Sequence, residues 1–254
     1  MSTPHVVIVE DALAVAHAAQ RLIVSAAQRA IAERGTFSIA LAGGSTPKIL
    51  YELLAKGLPS EPPQLPRWPF DWANVHVYFG DERCVPPDDE QSNYRMAFES
   101  LLSKVPLPEA NVHRMVGEII PGEAAKEYGR LLKDKFGDGG IDLVLLGMGD
   151  DGHTASLFPH TPALDEPHHR CVAQFVEKST TGESWRITLT APFLNRSREI
   201  LVLVGGARKA DLLAEVLHGP RDPHRLPIQM IQPVNGEMVW IVDKPAGKSL
   251  KTLD

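Results

Sequence analysis

Cysteine is scarce in this chain. Its 254 residues include two, Cys84 and Cys171, 87 positions apart. That separation matches no metal-ligand spacing and offers no disulfide framework, as expected of incidental thiols in a reducing cytoplasm. Positive runs are missing too: no lysine/arginine stretch exceeds two residues, and the formal net charge is −6. A footprint for the nucleic-acid backbone is therefore absent, and no nucleic-acid partner is expected. No apolar run approaches the ~20 residues that span a bilayer, so no membrane partner is expected either. The opening "MSTPHVVIVEDALAVAHAA" lacks a basic start, and Glu10 and Asp11 interrupt its apolar part, which argues against a secretory signal and for a cytoplasmic location. The overall negative charge disfavours anionic ligands at long range, so an anion would need a local basic pocket.

What is present is the composition of a globular protein, 43% hydrophobic and 23% charged, long enough to bury a core without disulfides or metals. Short β-branched runs read as strands covered on both faces, as in parallel sheets: 6–9, 37–42, 75–79, 142–146, 186–190, 200–204 and 238–242. Helical segments separate them. "ALAVAHAAQRLIVSAAQRAIAERG" stops at Gly35, a suitable residue for a helix end. "NYRMAFESLL", "EAAKEYGRLLKDKF" and "RKADLLAEVL" read as further helices. The alternation predicts an α/β fold, a doubly wound and mostly parallel sheet with helices on both faces, in one domain over 1–254. The proline-rich stretch at 58–72 reads as a surface excursion within that domain.

Ligands of such sheets bind at the carboxyl ends of strands, and four strand ends carry unusual residues. After the strand at 37–42 come Gly43, Gly44, Ser45 and Thr46, then Pro47. Glycines permit close approach, and a helix start presents free N–H groups to an anion; a tight turn capped by Ser45 or Thr46 is the plainer alternative. The spacing fits neither a dinucleotide fingerprint nor a nucleotide P-loop. After 75–79 come Gly80, Asp81, Glu82 and Arg83. Arg83 offers a planar, permanently charged fork for a phosphate or carboxylate, and a surface charge cluster is the alternative. After 142–146 comes "GMGDDGHTASLFP", in which Asp150, Asp151 and His153 can face a cleft. Histidine suits proton transfer near neutral pH, and a neighbouring aspartate could orient its ring. A plain turn is one alternative, and a metal bound by Asp150 or Asp151 with His153 and His160 is another, without a convincing third ligand. After 200–204, Arg208 and Lys209 stand at a helix start, where cations oppose the helix dipole unless an anion sits there. Arg186, within a strand, wants a partner.

These stretches together resemble the 6-phosphogluconolactonases of the glucosamine-6-phosphate isomerase/6-phosphogluconolactonase family. The likeness runs in order through "LAGGSTPKILYELLA", "VYFGDERCVPPDDEQSNYRMAFESLL", "DLVLLGMGDDGHTASLFPHTPAL", "RITLTAPFLNRSREILVLVGGARKADLLAEVL" and "LPIQMIQPVNGEMVWIVD", most of the chain. It implies a Rossmann-like sheet shared with glucosamine-6-phosphate deaminases and ribose-5-phosphate isomerases, without a nucleotide. It implies that His153 is the catalytic base, that Gly43, Gly44, Ser45 and Thr46 form the sugar-phosphate loop, and that Asp81 and Arg83 belong to the G-D-E-R segment. Arg186 and Lys209 match basic positions expected to line the pocket. His160 departs from the pattern, which more often has glycine after "SLFP".

The implied reaction is hydrolysis of 6-phospho-D-glucono-1,5-lactone, with Asp151 or Asp81 orienting the imidazole or the water, no metal and no organic cofactor. The partner is then a small sugar-phosphate lactone, and the chain a monomer or weak homodimer. A deaminase motif places glutamate five residues after the histidine. Here that position is Phe158, which argues for the lactonase. A non-catalytic sugar-phosphate sensor would need the anion loop but not His153.

Overall fold

All five residues of Phe37–Leu41 are buried, as are four of five in Leu143–Gly147 and five of six in Glu199–Val204. Strands buried on both faces belong in the middle of a layered sheet. The computed structural model, which describes residues 5–58, 67–177 and 184–250, places them there. Its strands are β1 (His5–Val9), β2 (Phe37–Leu41), β3 (Val75–Phe79), β4 (Asp81–Arg83), β5 (Leu143–Gly147), β6 (Cys171–Val176), β7 (Ser184–Leu189), β8 (Glu199–Val204) and β9 (Glu237–Asp243). Six of them form one sheet in the order β1-β9-β8-β5-β2-β3, with every pairing parallel.

The helices are α1 (Ala12–Arg34), α2 (Ser45–Lys56), α3 (Asn93–Ser100), α4 (Pro121–Phe136), α5 (Ala191–Leu194), α6 (Ala210–His218) and α7 (Lys244–Gly247). Asp11 caps α1 by accepting from Ala14 N at 2.8 Å. Gly35, at φ 79°, ends that helix in the left-handed region where a side chain would be strained. Between these ends the alanine face Ala16, Ala19, Ala27 and Ala30 is buried, and the small side chains let the helix lie close on its neighbours. Of the proline-rich stretch, residues 59–66 lie outside the described residues. Beyond it, Trp68 and Phe70 pack edge-on against Trp72, at centroid distances of 5.9 and 5.3 Å.

Two expectations need correction. The run at 186–190 is not a strand of the parallel sheet. It falls in β7, which pairs antiparallel with β4 and β6 in a separate three-stranded sheet. Its apolar residues Ile187 and Leu189 are buried there, and burial alone does not report strand direction. The polar segment Asp81–Arg83, read as charged residues following a strand rather than as a strand, is itself a strand, β4. Its pattern carries no apolar signal because its side chains face hydrogen-bonding partners and a cavity.

The chain crosses from β2 outward to β3 and then returns to place β5 on the other side of β2. The connections leaving β2 and β5 therefore diverge, and a crevice opens between their carboxyl ends. No helix among the described residues is long and apolar enough to cross a membrane.

Candidate active site

The crevice is a cavity of about 710 Å³. Gly43, Gly44, Ser45, Thr46, Asp81, Arg83, Asp151, His153, Arg186 and Lys209 all line it, so the fold brings together every residue to which the resemblance assigns a role, while Glu82, His160 and Arg208 are not among its lining residues.

Its first wall is the start of α2. Gly44 precedes the helix at φ 107°, and no side chain caps it. Ser45 and Thr46 are the first helical residues rather than caps, so the opening N–H groups of a twelve-residue helix face the cavity unpaired by side chains. A Cβ on Gly43 would lie 2.1 Å from Asn93 Oδ1, so only glycine lets the loop sit against that side chain.

The second wall is basic. Arg83 and Arg186 are directly opposite each other on β4 and β7. Like charges in that register repel, and Arg186 is 2% exposed. Burial holds Arg186 below the ordinary arginine value, and the Arg83 charge lowers it further against the pull of Asp81 and Glu82. Arg83 Nη1 donates to Gln91 O, while its Nε is buried without a hydrogen-bond partner among the described residues. Lys209 adds a third cation, its Nζ donating to Met148 O. Burial lowers its affinity for a proton, partly offset by Asp150, Asp243 and Asp151. Here the sequence expectation shifts slightly: Arg208 and Lys209 occupy a 3-10 turn, Ala207–Lys209, just ahead of α6. Arg208 lies 3.7 Å from Asp150.

The third wall carries the histidine. His153 Nδ1 lies 2.5 Å from Asp151 Oδ1, and its ring stacks on Phe158 at a centroid distance of 4.2 Å. Burial pushes the Asp151 carboxyl up, but the hydrogen bond and charge of His153 outweigh that and hold it below the usual aspartate value. The chain reverses tightly to make this contact. A Cβ on Gly149 would lie 2.1 Å from His153 Nδ1, and Gly152 takes φ 82°. Asp81, the other candidate to orient the ring, is engaged elsewhere. It accepts from Ser156 Oγ at 2.6 Å and Asn93 Nδ2 at 3.2 Å. Among the described residues, no group of three or more histidine, cysteine or acidic side chains is placed to hold a metal.

Sequence reasoning missed Asn93, Ser156 and Glu82. Asn93 joins α3 to β4 and supports Gly43. Glu82, 3% exposed, turns away from the cavity and accepts from Arg83 N, Asn93 N and Tyr94 N at 2.7–2.8 Å and from Ser92 Oγ at 3.1 Å. It fastens the strand bearing Asp81 and Arg83 to the helix bearing Asn93. The alternation of a three-residue strand predicts that Glu82 faces opposite to its neighbours, a signal available once Asp81–Arg83 is read as a strand.

The family model for "Glucosamine-6-phosphate isomerases/6-phosphogluconolactonase" matches residues 10–240. The chain belongs to this family. A 6-phosphogluconolactonase of Synechocystis is 42% identical over 229 residues, 88% of each chain. One from Haemophilus influenzae is 37% identical over 212 residues, 84% of this chain and 87% of its own. The solved 6-phosphogluconolactonase of Trypanosoma brucei superposes with a TM-score of 0.84 at 27% identity, covering 99% of this chain and 100% of its own. The α/β fold expected from strand and helix alternation is thus the fold of this family.

Proposed function

We propose that this family member is a 6-phosphogluconolactonase, hydrolysing 6-phospho-D-glucono-1,5-lactone to 6-phospho-D-gluconate. The observation that carries the reading is the pairing, in one cavity, of a carboxylate-oriented imidazole with a cross-strand pair of arginines, Arg186 buried and Arg83 half-buried.

A phosphate dianion relieves the repulsion between Arg83 and Arg186. The first N–H groups of α2 at Ser45 and Thr46, with Gly43 and Gly44, and the ammonium of Lys209 complete its surroundings. The opposing guanidiniums offer the forked donors that phosphate oxygens accept best.

At the other end of the substrate, Asp151 can only accept a hydrogen bond. It therefore keeps the proton on His153 Nδ1 and leaves the Nε2 lone pair free. Nε2 takes a proton from water as its oxygen bonds to the lactone C1. The tetrahedral intermediate then expels the ring oxygen, and the C1–O bond breaks as the imidazolium returns a proton to that oxygen. Backbone N–H groups of the glycine turns are suited to hold the intermediate's negative oxygen. Asp81, bonded to Ser156 and Asn93, acts in this reading by fixing the cavity wall rather than the imidazole. The reaction uses no metal or organic cofactor.

A deaminase reading would need an acid where Phe158 stacks on His153. The monomeric glucosamine-6-phosphate deaminase that superposes at TM-score 0.80 is only 19% identical, a likeness of fold. We further read the chain as a single domain acting in the cytoplasm, as a monomer or weak homodimer. The deciding experiment is a time course of lactone disappearance, corrected for spontaneous opening, beside an ammonia-release assay on glucosamine-6-phosphate. Accelerated lactone loss without ammonia supports the proposal; no acceleration ends it.

A further inference from the structure

A second concavity of about 720 Å³ opens at the other end of the sheet, beside the amino ends of β2, β3, β5 and β8. It is separated from the catalytic cavity by the length of the strands, about 15 Å for five residues. It shares no lining residue with it.

The floor is aromatic. Tyr78, 2% exposed, is wedged between His113, stacked at 4.6 Å, and Phe136, tilted at 5.1 Å. The Tyr78 hydroxyl makes no hydrogen bond among the described residues, and the residue lines the cavity. Burial and the nearby Asp142 charge push its pKa up to about 12, so it remains a donor.

The rim is cationic: Arg34, Lys135, Arg196 and Arg198 face two carboxylates, Asp138 and Asp142. Asp142 is occupied. It accepts from Ser38 N and Ser38 Oγ at 2.8 and 2.7 Å, and pairs with Arg34 at 3.0 Å and Arg198 at 3.4 Å. Lys135 and Arg196 form no ion pair among the described residues.

The wall that bears Arg196 is tightly built. A Cβ on Gly140 would lie 2.4 Å from the Arg196 carbonyl carbon, and one on Gly236 2.2 Å from Ser197 O. Two glycines thus clamp the turn between α5 and β8 and leave Arg196 little freedom at its backbone. On a chain of net charge −6, a locally positive concavity lined by a tyrosine that makes no side-chain hydrogen bond among the described residues is a feature that burial of apolar surface does not explain.

We infer that this cavity is a second ligand site, taking a small organic anion. Its acidic head sits between Lys135 and Arg196 and accepts from the Tyr78 hydroxyl, while an apolar or ring body packs on Tyr78 and Phe136. A phosphate monoester and a polycarboxylate share that chemistry, and the size lies within the range of small-molecule pockets.

The test is calorimetric titration of AMP, citrate and pyrophosphate into the intact protein, with the catalytic cavity saturated by 6-phosphogluconate. At least one probe should bind more tightly than about 1 mM. AMP above pyrophosphate identifies a phosphate with a ring body, and citrate above both identifies a polycarboxylate. Lys135→Ala/Arg196→Ala should lose binding at least about tenfold and keep its lactone turnover, because neither residue touches the catalytic cavity. Tyr78→Phe should weaken binding by about tenfold, as loss of a hydrogen bond to a charged group does, without lowering the melting temperature of the ligand-free protein. Absence of binding by all three probes, or unchanged binding in the double variant, overturns the site.

Discussion

The Nδ1 atom of His153 and the Oδ1 atom of Asp151 lie 2.5 Å apart, and the same carboxylate oxygen accepts from the backbone N–H of His153 at 3.1 Å. One acceptor thus fixes both the ring and the chain that carries it. A single residue, Gly152, separates the partners, and the glycines at 149 and 152 supply the space and the positive φ that so short a connection needs.

That arrangement makes the effects of the two side chains separable. His153→Ala should lower kcat by about 10²–10⁴-fold, the usual worth of a positioned general base. Affinity for 6-phosphogluconate should persist, because the cations and the α2 N–H groups remain. Asp151→Asn should also act on kcat rather than KM, since an amide can donate to Nδ1 and so favour the tautomer with its proton on Nε2. Steady-state kinetics with a product-inhibition constant for each variant checks both. A large rise in the product constant with unchanged kcat would place His153 in binding instead.

Arg186 tests the other half of the site. Its guanidinium is buried opposite Arg83, and a dianion between the two cations is favoured by both charges. Arg186→Met should raise KM at least about tenfold, since hydrogen bonds to charged groups are worth about 1.5–3 kcal/mol each. Phosphate should protect the wild type against heat more than the variant, which differential scanning fluorimetry measures directly. A variant with wild-type KM would remove Arg186 from the phosphate site.

Much of this was legible before any coordinates, and the reasons differ between elements. The strands β2, β5 and β8 announce themselves because burial on both faces demands unbroken apolar runs. Gly35 marks the end of α1 because its backbone has to turn left-handed. The cavity-lining set was readable because chemistry restricts it: glycines where the backbone must approach, a histidine among aspartates, and cations at strand ends. β4 was not readable, since Asp81, Glu82 and Arg83 are held by hydrogen bonds to Gln91, Ser92, Asn93, Tyr94 and Ser156 rather than by apolar burial. The choice between Asp81 and Asp151 as partner of the imidazole was equally closed to sequence. Both follow the carboxyl end of a strand, and only the positions of Ser156 and Asn93 show that Asp81 is already bonded.

The paired imidazoles of His76 and His113 give a signed dependence on pH. Their nearest ring nitrogens are 3.4 Å apart, and Lys135 lies close enough to oppose their protonation. Burial, then the His76 and Lys135 charges, lowers His113 to about 4, while burial and Lys135 lower His76 as well. Between the ordinary histidine value and the lowered one, the unfolded chain binds more protons than the folded one, so stability must rise with pH there. Unfolding by urea should therefore show stability falling from about pH 6.5 down to about pH 4 and no contribution from this pair above neutrality. His113→Gln should flatten that fall. An equal slope in the variant would assign the loss to other groups.

His160 carries a cost of its own. It stands at φ 58°, the left-handed region that side chains avoid by roughly 1–2 kcal/mol, and its N–H is held by His224 O at 3.0 Å. The turn needs that conformation to bring the chain from Phe158, under the His153 ring, back toward the 3-10 helix Pro162–Asp165. Glycine takes that conformation without the steric cost. His160→Gly removes the steric cost but adds freedom to the unfolded chain, worth about 0.5–1 kcal/mol in the opposite sense. The melting temperature should thus stay level or rise by a few degrees, at about 2–4 °C per kcal/mol for a chain near this size. His160→Val is the contrasting variant, since a β-branched residue is a genuine outlier at positive φ, and it should melt lower than the wild type. Because residue 160 lies outside the catalytic cavity, kcat should change little in the glycine variant. A glycine variant that melts well below the wild type would mean that the His160 side chain itself holds the turn.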